Sequence, residues 1–241
     1  MYYPPVSCYC STYGRPKFLI ENCIYWFLQQ DYPGKKELVI LNDLDCQTLI
    51  FDHPEVNIIN LSSKIRSLGE KFNRNIEFCN YDLLATWEDD DIFLPHRLKL
   101  SVDKMINGIF HTRDGYYEEK KEKIIKSYNY FHSTHLFERQ LFEEVGRYDE
   151  IDKYYLDVSL IKKFENKLGY YSQTLKNEEL FYIYSWAESN SYHGSASGNM
   201  DMYHTSERHV KNDLIRGYIE DGNILLDPKP KYNIIDFLPK L

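Results

Sequence analysis

Leu83-Leu84-Ala85-Thr86-Trp87-Glu88-Asp89-Asp90-Asp91-Ile92-Phe93-Leu94-Pro95-His96-Arg97-Leu98 is the stretch on which the reading of this sequence turns. An apolar run stops abruptly at four consecutive acids. With Asp82, five carboxylates fall in residues 82–91, without a Lys or Arg among them. Carboxylates packed so closely repel, and ionising all of them is unfavourable unless a cation neutralises them. Oxygen ligands with no His or Cys beside them suit Mg²⁺ or Mn²⁺ better than zinc. The bland alternative is a solvated acidic turn in which Asp91 helps to cap the next helix. Leu83-Leu84 before the acids and Ile92-Phe93-Leu94 after them make a casual surface turn the poorer reading.

Upstream, two periodicities alternate. Residues 5–12 predict a strand that stops at Gly14-Arg15-Pro16, and residues 17–30 carry Leu19, Cys23, Trp26 and Phe27 at helical spacing. Residues 37–41 and 56–61 are compact apolar runs, the first ending at Asn42-Asp43. Leu68, Phe72, Ile76 and Cys79 mark one helical face; residues 83–87 form a further strand, and Pro95 opens a helix over 95–105. This order predicts an α/β fold with a mostly parallel, Rossmann-like sheet flanked by helices. Ligands bind such sheets beyond the carboxyl ends of the strands. Polar groups stand at three of those ends: Ser11-Thr12, Asn42-Asp43 and the acidic tetrad.

The second half is less regular. Glu118-Glu119-Lys120-Lys121-Glu122-Lys123 reads as a solvated helix or loop face. Residues 138–145 and 156–168 predict helices, 181–186 a strand, 191–198 a Ser/Gly-rich loop with His193, and 206–221 a helix followed by an extended tail. The expected organisation is one domain over 1–204, its two halves meeting at about residue 105, and a C-terminal helix and tail over 205–241.

The chain has 241 residues, with 29 Lys+Arg against 37 Asp+Glu and a net charge of −8. That balance argues against a nucleic-acid backbone as partner. No stretch approaches the roughly 20 apolar residues that span a bilayer, and the N-terminus lacks the pattern of a signal peptide. Five scattered cysteines, an odd number, fit a reduced, cytoplasmic compartment. Cys8 and Cys10, alternating on one strand, read as core.

Taken together the motifs resemble the family-2 type glycosyltransferases with the GT-A fold. Ser11-Thr12-Tyr13-Gly14-Arg15-Pro16 is similar to the family's first strand end, Leu28-Gln29-Gln30-Asp31-Tyr32 to its first helix end, and Arg66, Lys71 and Arg74-Asn75 to its basic helix. Asp89-Asp90-Asp91-Ile92-Phe93-Leu94-Pro95-His96-Arg97-Leu98 looks like its metal motif, and Val145-Gly146-Arg147-Tyr148-Asp149-Glu150 like its Gly-Gly-Phe-Asp-Glu segment. The match spans residues 6 to about 194. Gly14 stands for the usual Asn, Asn42 for an acid, and Leu156 for the Glu before the presumed base.

The resemblance implies a metal-dependent inverting transfer from a nucleotide-diphosphate sugar to a hydroxyl of a glycan or glycoconjugate, with Mn²⁺ or Mg²⁺ as cofactor. It assigns Asp89 and Asp91 to the metal, with His193 completing the shell. Asp89 or Asp90 also reaches the donor, Asp43 meets the nucleobase, Ser11, Thr12 and Tyr13 shape its pocket, and Arg15 or Arg66 pairs with phosphate. Asp157 is the general base. His132 and His135 are weaker candidates on the acceptor side. The Gln-x-x-Arg-Trp signature of processive synthases is absent, so transfer is expected to be non-processive. The tail from Tyr218 onward offers a contact for a homodimer. The alternatives are a sugar-phosphate nucleotidylyltransferase, which wants a Gly-rich phosphate loop near its start; a phosphohydrolase, whose signatures are missing; and a binding or assembly module of the same fold with weakened catalysis.

Overall fold

Strand β1 (Val6–Thr12) sends Val6, Cys8 and Cys10 to one face of a sheet and Tyr9 to the other, and all four are fully buried. A parallel strand covered on both faces has no solvent side to show, which is why the run is mostly apolar and its buried mid-strand polar residue, Ser7, donates to a buried partner, Glu37. In this computed structural model, which describes residues 2–120, 123–150, 156–185, 220–230 and 233–238, the same logic builds the rest of the sheet. Helix α1 covers residues 16–28, opening on Pro16 and widening to a π-helix over Leu19–Ile24. It packs Leu19, Cys23, Ile24, Trp26 and Phe27 on the face that takes Cys8 and Cys10. Strands β2 (Lys36–Asn42), β3 (Gln47–Ile50) and β4 (Val56–Asn60) follow. Helix α2 (Leu68–Glu77) begins where the Ser67 hydroxyl accepts the Glu70 amide at 3.2 Å, an N-cap.

After α2 come β5 (Leu83–Thr86), β6 (Ile92–Phe93), α3 (Arg97–Asp103), β7 (Ile109–Phe110), β8 (Asp114–Lys120), β9 (Lys123–Tyr128) and β10 (Leu136–Glu138). Helices α4 (Arg139–Glu144) and α5 (Leu156–Leu168) precede β11 (Tyr182–Ser185) and β12 (Gly222–Leu225). The main sheet runs β4-β2-β1-β5-β10-β7. Its first four strands are parallel, and β10 lies antiparallel to β5 and β7. Helices α2, α4 and α5 cover the Tyr9 face with Phe72, Ile76, Leu141, Phe142, Leu160 and Phe164. A second sheet, β6-β11-β8-β9, adjoins the carboxyl end of β5, and β3 pairs in parallel with β12. The chain passes from β1 to β2 on one side and returns as β5 on the other. The crevice beyond the ends of β1 and β5 is therefore a topological switch point, where open sheets of this kind take ligands.

The expected α/β sheet is present, and three local readings change. Residues 118–120 and 123 belong to the antiparallel pair β8 and β9, not to a solvated helix or loop, and 121–122 lie outside the described residues. Glu118 is buried in it, accepting the Ser185 hydroxyl at 2.9 Å, so its neighbours' charges hid one inward-facing acid. The helix after the acids starts at Arg97 rather than Pro95, whose carbonyl accepts the Asp31 amide at 3.0 Å. Leu68 is 42% exposed, because α2 buries the arc through Gly69, Phe72, Asn73 and Ile76. Of the tail, residues 222–225 form a strand, and Leu226 and Ile234 enter the core. The helix expected over 206–221 falls almost wholly outside the described residues. Among the described residues no helix is long and apolar enough to cross a membrane.

The start of α2 passes so close to the segment before α5 that a Cβ on Gly69 would stand 1.9 Å from the Asp149 carbonyl oxygen. Neither backbone can yield without moving α2, which carries Lys71 to the ligand crevice. Gly69→Ala is expected to lower the urea-unfolding free energy by about 1–3 kcal/mol, the usual cost of overpacking. An unchanged midpoint would show that this contact is not made.

Candidate active site

The four acids after β5 separate into two groups. Glu88, Asp90 and Asp91 each bring a carboxylate oxygen within 4.8 Å of the others, Asp90 and Asp91 buried and Glu88 partly so. Asp91 is anchored by the Tyr182 hydroxyl at 2.6 Å, the Ser133 hydroxyl at 3.1 Å and the Ser185 amide at 3.2 Å. Asp89 turns the other way across the switch point. It accepts the Thr12 hydroxyl at 2.6 Å and Nε of Arg15 at 3.1 Å, and Nη2 of Arg15 closes a bidentate pair. Nη1 of Arg15 reaches Asp90 at 3.3 Å, while Asn22, in the π-wound turn of α1, donates to the Asp90 carbonyl at 2.7 Å.

Burial drives the protonation of these groups upward. Desolvation, with the Asp90 charge behind it, pushes the Glu88 carboxyl up to about 8. Burial takes Asp89 up to about 6 although Arg15 opposes it, and Asp91 stands well above the carboxylate range for burial first and then for Asp90 and Glu88. Three carboxylates with oxygens within 4.8 Å of one another, in a setting that disfavours their charge, are the donor type that suits a hard divalent cation.

Two cations and a chain of hydroxyls support this cluster. Lys71, buried, donates to Asp43 and to the Thr12 carbonyl, tying the end of β1 to the loop after β2. Arg97 is fully buried, its guanidinium 3.9 Å from the Phe93 ring centre and 4.6 Å from that of Trp87. Its Nη2 donates to the carbonyls of Thr86 and Ser133 (2.6 Å for Ser133), clamping the 132–134 turn onto β5. Burial lowers its pKa to about 10, so it stays charged at neutral pH. On that turn, His132 Nδ1 lies 2.9 Å from Glu88 and Nε2 2.6 Å from the Tyr148 hydroxyl.

The structure places the sequence-predicted residues as follows. Thr12, Arg15, Asp89, Asp90 and Asp91 converge at the switch point. Ser11, the last but one residue of β1, lies beside Asn75 at 3.5 Å, and Tyr13 lies under the Lys64 ammonium, 5.2 Å from the ring centre. Asp43 is buried, accepting Lys71 and the Ile65 amide at 2.9 Å. Arg66 sits apart on the surface, 3.4 Å from Glu70. Asp157 opens α5, accepts its neighbour Val158 amide at 2.8 Å, and acts by its charge on Glu88 and His132. His193 lies outside the described residues. His135 is buried and bonded to the His132 carbonyl at 2.8 Å and to Tyr171 at 2.8 Å, away from the carboxylates. Sequence reasoning gave no role to Glu88, Ser133, Tyr182 or Ser185, and left Lys71 and Arg97 as mere motif letters.

The architecture has solved counterparts. The S. aureus TarS 1–349 crystal structure matches at 15% identity with a TM-score of 0.54, over 77% of this chain and 61% of that one. TarS 1–349 in complex with UDP-GlcNAc matches at 14% and 0.57, over 75% of this chain and 58% of that one. The mannosyltransferase PcManGT from Pyrobaculum calidifontis, in complex with GDP-Man and Mn²⁺, matches at 14% and 0.58, over 90% of this chain and 71% of that one. The chain shares their fold. It spans about three-fifths of the TarS 1–349 chain. No protein-family model and no curated protein sequence matches it.

The raised carboxyls give a pH dependence of definite sign. A carboxyl whose folded pKa exceeds its unfolded value binds more protons folded than unfolded, so its ionisation costs stability as pH rises through the folded pKa. Glu88 and Asp91 do this. Between about pH 7.5 and 8.5, where the histidines are neutral in either state, the metal-free melting temperature should fall. Added Mn²⁺ should raise it, and more at the upper pH, where fewer protons must be displaced. A melting temperature indifferent to Mn²⁺ at both values would contradict this account of the cluster.

Proposed function

We propose that this chain transfers a sugar from a nucleotide-diphosphate donor to an acceptor hydroxyl of a glycan or glycoconjugate, with inversion, and with Mn²⁺ or Mg²⁺ as cofactor. The observation that carries the reading is the convergence of Glu88, Asp90 and Asp91 on one point beyond the switch point of the sheet. Structures of the same fold with UDP-GlcNAc, or with GDP-Man and Mn²⁺, support it.

The chemistry asks for few groups. When bound, the cation neutralises charge that grows on the departing diphosphate. Glu88, Asp90 and Asp91 would hold it, and Arg15, bridging Asp89 and Asp90, keeps the Asp89 carboxylate out of the cluster. Asp43 uses one acceptor position per oxygen on Lys71 and Ile65, leaving others for the N–H edge of a nucleobase. Tyr13, with Ser11 and Thr12 beside it, walls that pocket. Arg66 meets a phosphate at the rim, since an exposed pair such as Arg66–Glu70 costs little to break. Asp157 takes the proton of the acceptor hydroxyl, a role that typically contributes about 10²–10⁴ in rate.

A donor-binding module without turnover is the second reading. Leu156, which is buried in the core where the resemblance expects a Glu, favours it. Melting scans with UDP, GDP, dTDP and CDP should show a rise only when Mn²⁺ or Mg²⁺ is present; a ligand at 100 times its Kd adds about 2.7 kcal/mol. No shift with any nucleotide and either metal would overturn donor binding. Asp157→Asn should abolish transfer and leave that shift intact, whereas unchanged turnover removes Asp157 from the base role.

A further inference from the structure

Behind Glu88 runs a buried line of hydrogen bonds that the transfer reaction itself does not require. Thr86 Oγ1 lies 2.8 Å from the Tyr9 hydroxyl, Tyr9 2.7 Å from the Tyr148 hydroxyl, Tyr148 2.6 Å from His132 Nε2, and His132 Nδ1 2.9 Å from Glu88 Oε1. Thr86, Tyr9, Tyr148 and His132 are all buried, and they come from β5, β1, the segment before α5 and the turn before β10. A neutral imidazole has one donor and one acceptor. Glu88 can hold a cation only as a carboxylate, which can only accept, so in that state the Nδ1–H must donate to it and Nε2 must accept from Tyr148. Tyr148, its proton committed to His132, accepts from Tyr9, and Tyr9 from Thr86. Every proton in the line then points toward the acidic cluster. The turn that carries His132 is itself fixed, because His135 Nδ1–H donates to the His132 carbonyl at 2.8 Å and Arg97 holds the Ser133 carbonyl at 2.6 Å.

We infer that His132 is a positioning residue for Glu88: Tyr148 fixes its tautomer and ring orientation, and the Nδ1–H holds the Glu88 carboxylate turned toward Asp90 and Asp91. Ser133, next in the chain, does the same for Asp91 with its hydroxyl at 3.1 Å. One short turn thus aims both outer carboxylates of the cluster. Groups that orient metal-ligating side chains in this way typically carry about 10–100-fold in metal affinity. The inference rests on the divalent-cation reading of the cluster.

Two substitutions, each keeping one of the two hydrogen bonds, separate positioning from packing. In His132→Asn the side-chain amide stands where Nδ1 stood, keeping the donor to Glu88 and losing Tyr148. In His132→Gln the amide reaches the Nε2 position, keeping Tyr148 and losing Glu88. Each forfeits one of the two hydrogen bonds, so a purely structural histidine predicts similar losses from both. Mn²⁺ binding, followed by the loss of the free-ion EPR signal in the absence of nucleotide, is the readout, with a melting scan on each variant. The expected result is near wild-type Mn²⁺ affinity in His132→Asn and a loss of about 10–100-fold in His132→Gln. Equal affinities in two folded variants, with the wild type binding Mn²⁺, would overturn the positioning role alone. A wild type that takes up no Mn²⁺ would overturn the cation reading and this inference with it.

Discussion

Four carboxylates in a row at the end of a buried strand cannot all face one another as anions, and the surroundings of the site are arranged by that constraint. Asp89 is drawn off by Arg15 and Thr12, the only one of the four with a bidentate guanidinium partner among the described residues. The other three stay together, and burial holds Glu88 and Asp91 at raised pKa. The remaining charge is balanced from behind by Arg97, a cation stacked on aromatic rings whose donors go to backbone carbonyls instead of to carboxylates. Arg97 itself uses up no carboxylate oxygen, and the direct ion pair into the cluster, from Arg15 Nη1 to Asp90 at 3.3 Å, takes one.

The fold supplies this arrangement cheaply. Parallel strands β1, β2 and β5 end together, so Thr12, Asp43 and the acids arrive at one edge of the sheet without any long loop. Lys71 and Arg15 then tie the strand ends to each other, one across β1 and β2, the other across β1 and β5. The second sheet closes the far side, since Tyr182 and Ser185 on β11 hold Asp91. The site is in this sense the seam between two sheets, and most of its polar contacts belong to the seam as much as to chemistry.

Much of this was legible in the sequence because a buried parallel strand must be apolar on both faces and polar at its ligand end. Residues 5–12, 37–41 and 83–87 obey that rule except at Ser7 and Glu37, which bond each other, and Thr12, Asp43 and the acids follow directly. The division of labour among the acids was not legible. Spacing says that Glu88 through Asp91 are near one another, but which of them meets Arg15 depends on the backbone path between β5 and β6. His132 was named only as a weaker candidate on the acceptor side, and its contact with Glu88 was out of reach for another reason: it lies 44 residues from Glu88, and only the antiparallel insertion of β10 beside β5 brings its turn back to the acids. Residues 118–123 misled because five charged neighbours disguised one buried acid, Glu118, whose partner on β11 is 67 residues away.

The most direct test of the central claim is a crystal of the protein grown with a nucleoside diphosphate and MnCl₂, with anomalous scattering measured at the manganese edge. The account predicts a single peak among the carboxylates of Glu88, Asp90 and Asp91, with phosphate oxygens on its open side and Asp89 still paired with Arg15. A peak on Asp89 with Arg15 displaced, or a bound nucleotide with no peak at the cluster, would contradict it.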